Sequence, residues 1–234
     1  MRIQGISGSR GVAVGNVYRY IQEEIVVPDY TVADDKVEEE IGKFAAAMAA
    51  TLKQLDTIRQ KALDEMGPEE AAIFEAHMQI AQDPSLSDGI KSLVESSHTN
   101  VVAATAQTIE TFANIFLGME DPYMRERGAD IKDIGDRLMR NMLGMNPRGL
   151  SHISGEVILV AQDLAPSDTA SLDKNVVKGI VTAAGGPTSH AAIMARTLEI
   201  PAVMGVGDIE SFVDGDKAVS YTHLRAHETE ADLV

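Results

Sequence analysis

The sequence predicts an α/β subdomain interrupted by an inserted all-α helical bundle. Three observations carry that reading. Residues 1 to about 27 and those from 156 onward hold β-branched apolar runs punctuated by glycine, the pattern of short strands and tight turns. Between them, from 31 to about 143, apolar residues recur at three- and four-residue spacing, the period of helices. Aromatic content is only 4%, with no tryptophan, which leaves alanine, leucine, isoleucine, valine and methionine to build a helix-rich core. The expected boundaries are 1–30 with 145–219 for the α/β part and 31–144 for the helices. Residues 220–234 are expected to be a non-native tail.

The opening stretch interleaves Gly5, Gly8, Gly11 and Gly15 with Ile3, Ile6, Val12, Val14, Val17 and Tyr18. Its glycines lack the G-x-G-x-x-G spacing of a dinucleotide loop, so they read as strand punctuation. Asp34 and Asp35 then open a long amphipathic helix through Val37, Ile41, Phe44, Met48, Leu52, Leu55 and Ile58, ending near Gly67. Pro68 with Glu69 and Glu70 starts the next, because proline suits the first helical position and carboxylates the first turn. A break at Asp83-Pro84-Ser85 precedes a shorter helix around 88–95. Helices are predicted again over 100–117 and from Asp121-Pro122 to about Leu143, the last with Ile131, Ile134, Leu138 and Met142 on one stripe. Residues 144–149 have linker composition.

After a buried strand at 156–161, Asp163 to Thr169 reads as a loop entering a helix, with Ser167 a candidate cap. A second strand, Val177 to Ala183, runs directly into Gly185-Gly186-Pro187-Thr188-Ser189-His190 and then Ala191 to Arg196. Two glycines permit backbone angles that side chains resist, and Thr188 or Ser189 serves as N-cap to a helix from Ala191 through Leu198. That places His190 on a helix N-terminus. Open amides and the positive end of the helix dipole favour a negative charge there and disfavour a cationic imidazole. A neutral imidazole is a nucleophile, and a phosphate it acquired would be held by the helix end. The alternative is an ordinary capping or packing histidine. The clustered glycines and hydroxyls favour the functional reading. The chain resumes as strand over 202–206.

Composition narrows the partners. A net charge of −16 argues against nucleic acid or an anionic membrane surface, which reward clustered Lys and Arg. Between residues 31 and 95, fourteen acidic side chains stand against six basic ones, a balance of −8 that is mostly a solvated helical exterior and fits a basic protein partner. With no cysteine, neither disulfides nor thiolate metal sites are available. The opening residues lack the apolar core of a signal peptide, and no apolar run reaches the roughly eighteen residues of a membrane span, so a soluble cytoplasmic protein is expected.

Gly185 to Arg196 resembles the phosphohistidine signature of the phosphoenolpyruvate-utilising enzymes. The chain to about Ala218 resembles the N-terminal domain of the Enzyme I family, the phosphoenolpyruvate-protein phosphotransferases of the bacterial sugar phosphotransferase system. The resemblance implies that His190 is transiently phosphorylated and passes the group to a histidine of the small carrier HPr, its α/β subdomain swivelling between donor and acceptor. Thr169 matches the hydroxyl residue that orients the histidine. Gly185, Gly186, Thr188 and Ser189 match the turn, and Arg196 would either support the phosphorylated state or pair with a carboxylate. Pro187 stands where many members carry arginine. The helical part would dock HPr through Glu69, His77, Met78, Ile80, Leu86, Phe116, Tyr123 and Arg127, with Asp83-Pro84-Ser85 departing from a commonly acidic stretch.

Members continue into a barrel domain that binds phosphoenolpyruvate and magnesium and supplies the main dimer contacts. That domain is expected to be missing here, so no cofactor is expected in this chain, which should be monomeric while the full-length protein is a homodimer. The phosphohistidine domain of a pyruvate phosphate dikinase or phosphoenolpyruvate synthase is the second reading, disfavoured by the chain order. A helical interaction module with an inert histidine is the third. From about Ser220 the chain resembles translated sequencing-adapter read-through. His223 and His227 there, like His98 and His152, are read as incidental rather than metal-binding.

Overall fold

Two features of the sequence set the architecture: long amphipathic helices that bury their apolar stripes on one another, and short apolar strands that need covering on both faces. The computed structural model describes residues 2–21, 23–145, 150, 153, 155–225 and 228–233, with side chains at 122, 123, 126, 223–225 and 228–233 excepted. His152, His227, most of the predicted linker (146–149) and the side chain of His223 lie outside the described residues. The chain divides into two units, 1–23 with 148–234, and 24–147.

The first boundary falls earlier than the sequence predicts because the segment before the first helix is tied to the helical unit. The Asn100 side-chain amide donates to the carbonyls of Pro28 (2.9 Å) and Tyr30 (3.1 Å), and the amide of Val32 donates to His98 O (2.8 Å).

The first unit is a closed seven-stranded barrel. Its strands are β1 (Ile3–Ser9), β2 (Gly11–Tyr20), β3 (Val157–Ala161), β4 (Val177–Thr182), β5 (Ala202–Met204), β6 (Lys217–Arg225) and β7 (Glu228–Leu233), arranged in the ring β1-β5-β4-β3-β2-β6-β7. The run β2-β3-β4-β5 is parallel, with Tyr18 beside Leu159, Leu159 beside Ile180 and Val181 beside Val203. Val17, Ile158, Val160, Val181, Val203, Phe212 and Ala218 form one apolar cluster. Leu159 and Ile180 point the other way by strand alternation and are equally buried, as parallel strands with covering helices require. The short helix α6 (Pro166–Ala170) and α7 (His190–Thr197) belong to this unit.

Two strand ends differ from the sequence reading. β5 stops at Met204 because Gly205 turns to φ +66°. Beyond the expected boundary at 219, β6 continues to Arg225, and β7 pairs with both β6 and β1, which closes the ring.

Among the described residues the second unit is a bundle of five α-helices: α1 (Val37–Glu65), α2 (Pro68–Ala81), α3 (Pro84–Ser97), α4 (Val101–Leu117) and α5 (Pro122–Leu143). Phe44, Leu86, Ile90, Val94, Ile109, Ile131, Ile134 and Leu138 are among its buried core. The stripe predicted on α5 is the one buried. α3 begins four residues earlier than the sequence predicts. Asp83 acts as N-cap, accepting from the Ser85 amide at 2.8 Å, and Pro84 takes the first helical position, so the predicted break is a capped helix start.

One buried carboxylate joins three segments of the bundle. Glu40, 3% exposed, accepts from the Val101 amide at the start of α4 (2.8 Å), from Lys43 Nζ (2.6 Å) and from the Tyr30 hydroxyl (3.2 Å). Burial pushes its pKa up, but the Lys43 and Val101 hydrogen bonds outweigh that and hold it below the ordinary 4.5. A carboxyl depressed on folding stabilises the native state above its unfolded value, and that contribution is lost as pH falls through the lower folded value. Glu40→Gln is therefore expected to lower stability at pH 7 by about 1.5–3 kcal/mol. It should also make the acid limb below about pH 4.5 shallower in urea titrations followed across pH.

Candidate functional site

β4 lies in the middle of the parallel run, so its C-terminal end is held on both sides when the chain leaves it. The amides of Ala183 and Ala184 donate to Ala161 O and Gln162 O, both at 3.0 Å, and the buried Thr182 hydroxyl donates to Ala184 O (2.6 Å). The chain then reverses within five residues. Gly185 does this at φ +90°, where a Cβ would also stand 3.3 Å from Ser189 Oγ. Gly186 has no positive φ and open space around it, so only the first glycine uses the freedom that the sequence reading gives to both. Gly205, which the sequence analysis passed over, sits at φ +66° with its Cα facing the Gly185 carbonyl, and its amide donates to Ala184 O (3.3 Å). Its signal was the isolated glycine immediately after an apolar strand.

Of the two candidate caps, Ser189 is the one used. Its Oγ accepts from the Ala192 amide at 3.3 Å and donates to Gly186 O at 2.9 Å. Thr188 is exposed and outside the cap. His190 is the first residue of α7 and half-buried, one residue earlier in the helix than predicted. Among the described residues its ring has no hydrogen-bond partner, and its own amide and that of Ala191 are not taken up by the cap. An imidazole beside open helix-start amides is an arrangement that can accept a phosphoryl group and hold its oxygens.

Three supporting residues take partners that the sequence did not reveal. Ser167 lies inside α6 rather than capping it. The start of that helix is held by the buried Asp168, which accepts from the Ala165 amide (3.1 Å) and from the Tyr20 hydroxyl (2.8 Å). Thr169 is fully buried and donates its proton to Pro166 O (2.8 Å), so the ring-orienting bond implied for it is not made among the described residues; its lone pairs are what an imidazole N–H could use. Among the described residues Arg196 reaches no carboxylate. Its Nη1 donates to the carbonyls of Gly8 and Pro187, each at 2.8 Å.

In the helical unit a groove of about 380 Å³ is lined by Ile80, Asp83, Leu86, Phe112, Phe116, Met124, Arg127 and Ile131. The structure thus brings together Ile80, Leu86, Phe116 and Arg127 of the residues singled out for partner docking, although Leu86 is only 3% exposed and forms the groove floor. Glu69 is exposed and Met78 half-buried, both outside the lining, and the Tyr123 side chain lies outside the described residues. His77 is not at the surface. It shares the buried stripe Ala71, Phe74, His77, Ala81 of α2, a spacing visible in the sequence, and its Nε2 lies 3.1 Å from Asp130 Oδ1 of α5. Phe112, Met124 and Ile131 were missed as lining because helical periodicity marks apolar faces without telling a groove from a core.

Residues 4–127 match the family model described as PEP-utilising enzyme, N-terminal, and residues 153–220 match PEP-utilising enzyme, mobile domain. The chain belongs to the PEP-utilising enzymes. His190 and its turn lie in the segment matching the family's mobile domain, and the groove lies almost wholly in the segment matching its N-terminal model. Phosphoenolpyruvate-protein phosphotransferase of Streptococcus equinus is 44% identical over 216 residues, 92% of this chain and 37% of that protein. The Lactococcus lactis subsp. lactis protein of the same name is 42% identical over 95% of the chain and 38% of its own length. The chain therefore spans little more than a third of these relatives. Among solved structures, an NMR structure of Enzyme I (nEIt) superposes with TM-score 0.79 at 40% identity, covering 93% of this chain and 88% of that one. The N-terminal domain of Enzyme 1 - Nitrogen, at 24% identity and TM-score 0.64, shares the fold.

Among the described residues no helix is long and apolar enough to cross a membrane. The two glycines of the turn give a direct test of its geometry. Gly185→Ala should destabilise the barrel unit by about 1–3 kcal/mol, the cost of a strained backbone, while Gly186→Ala should stay within about 0.5 kcal/mol. Parallel urea melts that found equal losses would contradict the positive φ at 185.

Proposed function

We propose that this chain is the phosphoryl-carrying part of a phosphoenolpyruvate-protein phosphotransferase, taking phosphate on His190 and exchanging it with the histidine of HPr in the sugar phosphotransferase system. The observation that carries the reading is the half-buried imidazole at the first position of α7, next to amides that its cap leaves open. An unshared nitrogen pair of His190 attacks phosphorus, a P–N bond forms, and the bond from phosphorus to the donor breaks with its electrons leaving on the donor. The His190 and Ala191 amides face the phosphoryl oxygens. Ser189, Gly185 and Gly205 keep the turn in shape, and Thr169 offers an acceptor to the ring. Catalysis of this kind is positioning and electrostatics, because the histidine serves in turn as nucleophile and leaving group.

The groove of the helical unit supplies the docking surface. Phe112, Phe116, Met124 and Ile131 give an apolar centre and Asp83 and Arg127 a charged rim, the anatomy of a specific protein interface. The net charge of −16 suits a basic carrier. The phosphoenolpyruvate step and its magnesium belong, by family resemblance, to a part of the protein outside this chain. Among the described residues no group of three His, Asp or Glu side chains stands together as a metal site. A cytoplasmic location, monomeric behaviour of this chain and dimerisation through the additional domain complete the reading.

The test is incubation with phosphorylated HPr and no phosphoenolpyruvate, followed by intact mass at neutral and acidic pH. An acid-labile gain of one phosphate is expected, absent in His190→Ala. Label that persists in that variant would overturn the assignment. Phe116→Ala should weaken HPr binding about tenfold or more by calorimetry, with transfer at saturating HPr preserved.

A further inference from the structure

Arg196 sits in the last turn of α7 and is exposed, yet its guanidinium is committed. Helical side chains lean toward the helix N-terminus, so from six residues beyond His190 it reaches back past the start of its own helix. There a single nitrogen, Nη1, donates to Pro187 O in the turn and to Gly8 O in β1. The two segments are 179 residues apart in sequence, and this nitrogen joins them. The same strand is already close to the helix. Ser9 Oγ donates to Ala195 O (3.4 Å), and a Cβ on Gly8 would meet Ala192 Cβ at 3.4 Å and Met204 Cγ at 2.8 Å. Gly8 thus lets α7 seat on β1, and Arg196 ties the preceding turn to the same place.

We propose that Arg196 is a positioning residue for phosphoryl transfer: by bridging the carbonyls of Gly8 and Pro187 it holds the 185–189 turn, and with it the imidazole of His190, in one orientation against the barrel. The inference rests on the phosphoryl-transfer reading above. At position 187 the bridge needs only a backbone oxygen. The contact is made through the main-chain carbonyl, so proline serves there as well as a residue with a long side chain. It also separates two roles for the arginine. A phosphate contact would use the planar guanidinium fork, whereas a bridge made by one nitrogen can be made by an ammonium group.

The experiment compares Arg196→Lys and Arg196→Met in the full chain, reading single-turnover transfer from phosphorylated HPr over a range of HPr concentrations, together with amide hydrogen exchange at Ser189 and Ala192. The lysine variant is expected within about threefold of the unmodified chain. The methionine variant should lose roughly ten- to hundredfold in maximal rate with its half-saturating HPr concentration unchanged, because misplacement of a reacting group costs rate rather than docking. Exchange at Ser189 and Ala192 should accelerate in the methionine variant alone. Should that variant not fold, Arg196→Gln, whose shorter amide reaches at most one carbonyl, is read in the same way. Unchanged transfer in the methionine variant would overturn the positioning role while leaving His190 as the carrier. A lysine variant as slow as methionine with unchanged exchange would overturn it in favour of a phosphate contact. No transfer to the unmodified chain would remove the phosphoryl-transfer reading and this proposal together.

Discussion

The barrel unit turns on one constraint: the chain must leave a strand that is pinned on both sides and enter a helix after only the seven residues 183–189. β4 cannot move to help, because β3 and β5 hold its length and the bonds at Ala183 and Ala184 continue that grip past its end. All of the reversal falls on the short turn. A positive φ at Gly185, the reciprocal use of Ser189 as donor to Gly186 O and acceptor for Ala192, and the close approach of Gly205 are the consequences. The cap takes the amide two residues beyond the histidine and leaves the nearest ones for a ligand. An N-cap that is ordinary in helix formation thereby decides what the helix end can bind.

The helical unit solves a different problem with the same economy of groups. Its helices are amphipathic, but the loop entering α1 and the start of α4 carry polar groups that would otherwise be buried without partners. Glu40 and Asn100 take up those groups, one with a carboxylate and the other with both ends of a side-chain amide. Behind α2, His77 and Asp130 place a polar contact inside an apolar wall. Arrangements of this kind add less to net stability than to the choice of one packing over its neighbours. A groove with a fixed shape needs that choice, because apolar helices alone can slide.

Relatives over two fifths identical share both units, and their length shows how much chemistry can lie outside this stretch of chain. Two positions singled out in the sequence act through the backbone or as a cap. Position 187 contributes a carbonyl, and Asp83 contributes a carboxylate to the first turn of α3 as well as an edge to the groove. A side-chain change at 187 leaves its carbonyl contact in place, whereas one at Asp83 removes a cap.

The class of fold, the helix count and the seat of the histidine were legible in the sequence, because each depends on local rules. Period 3.6 marks a helix, proline and a short polar residue mark its start, and a glycine between strand and helix marks a reversal. The groove, the burial of His77, the boundary near residue 24, the extent of β6 with the pairing of β7, and the partners of Thr169 and Arg196 were not legible in that way. Each is a relation between segments far apart in the chain. A histidine two turns into an amphipathic helix reads the same whether its face meets solvent or an aspartate of another helix. An arginine reads the same whether it finds a carboxylate, a phosphate or two carbonyls. The sequence determined which local structures form and where a histidine meets a helix start; only tertiary packing decided which groups surround it, because proximity between distant residues is set by how the elements close on one another.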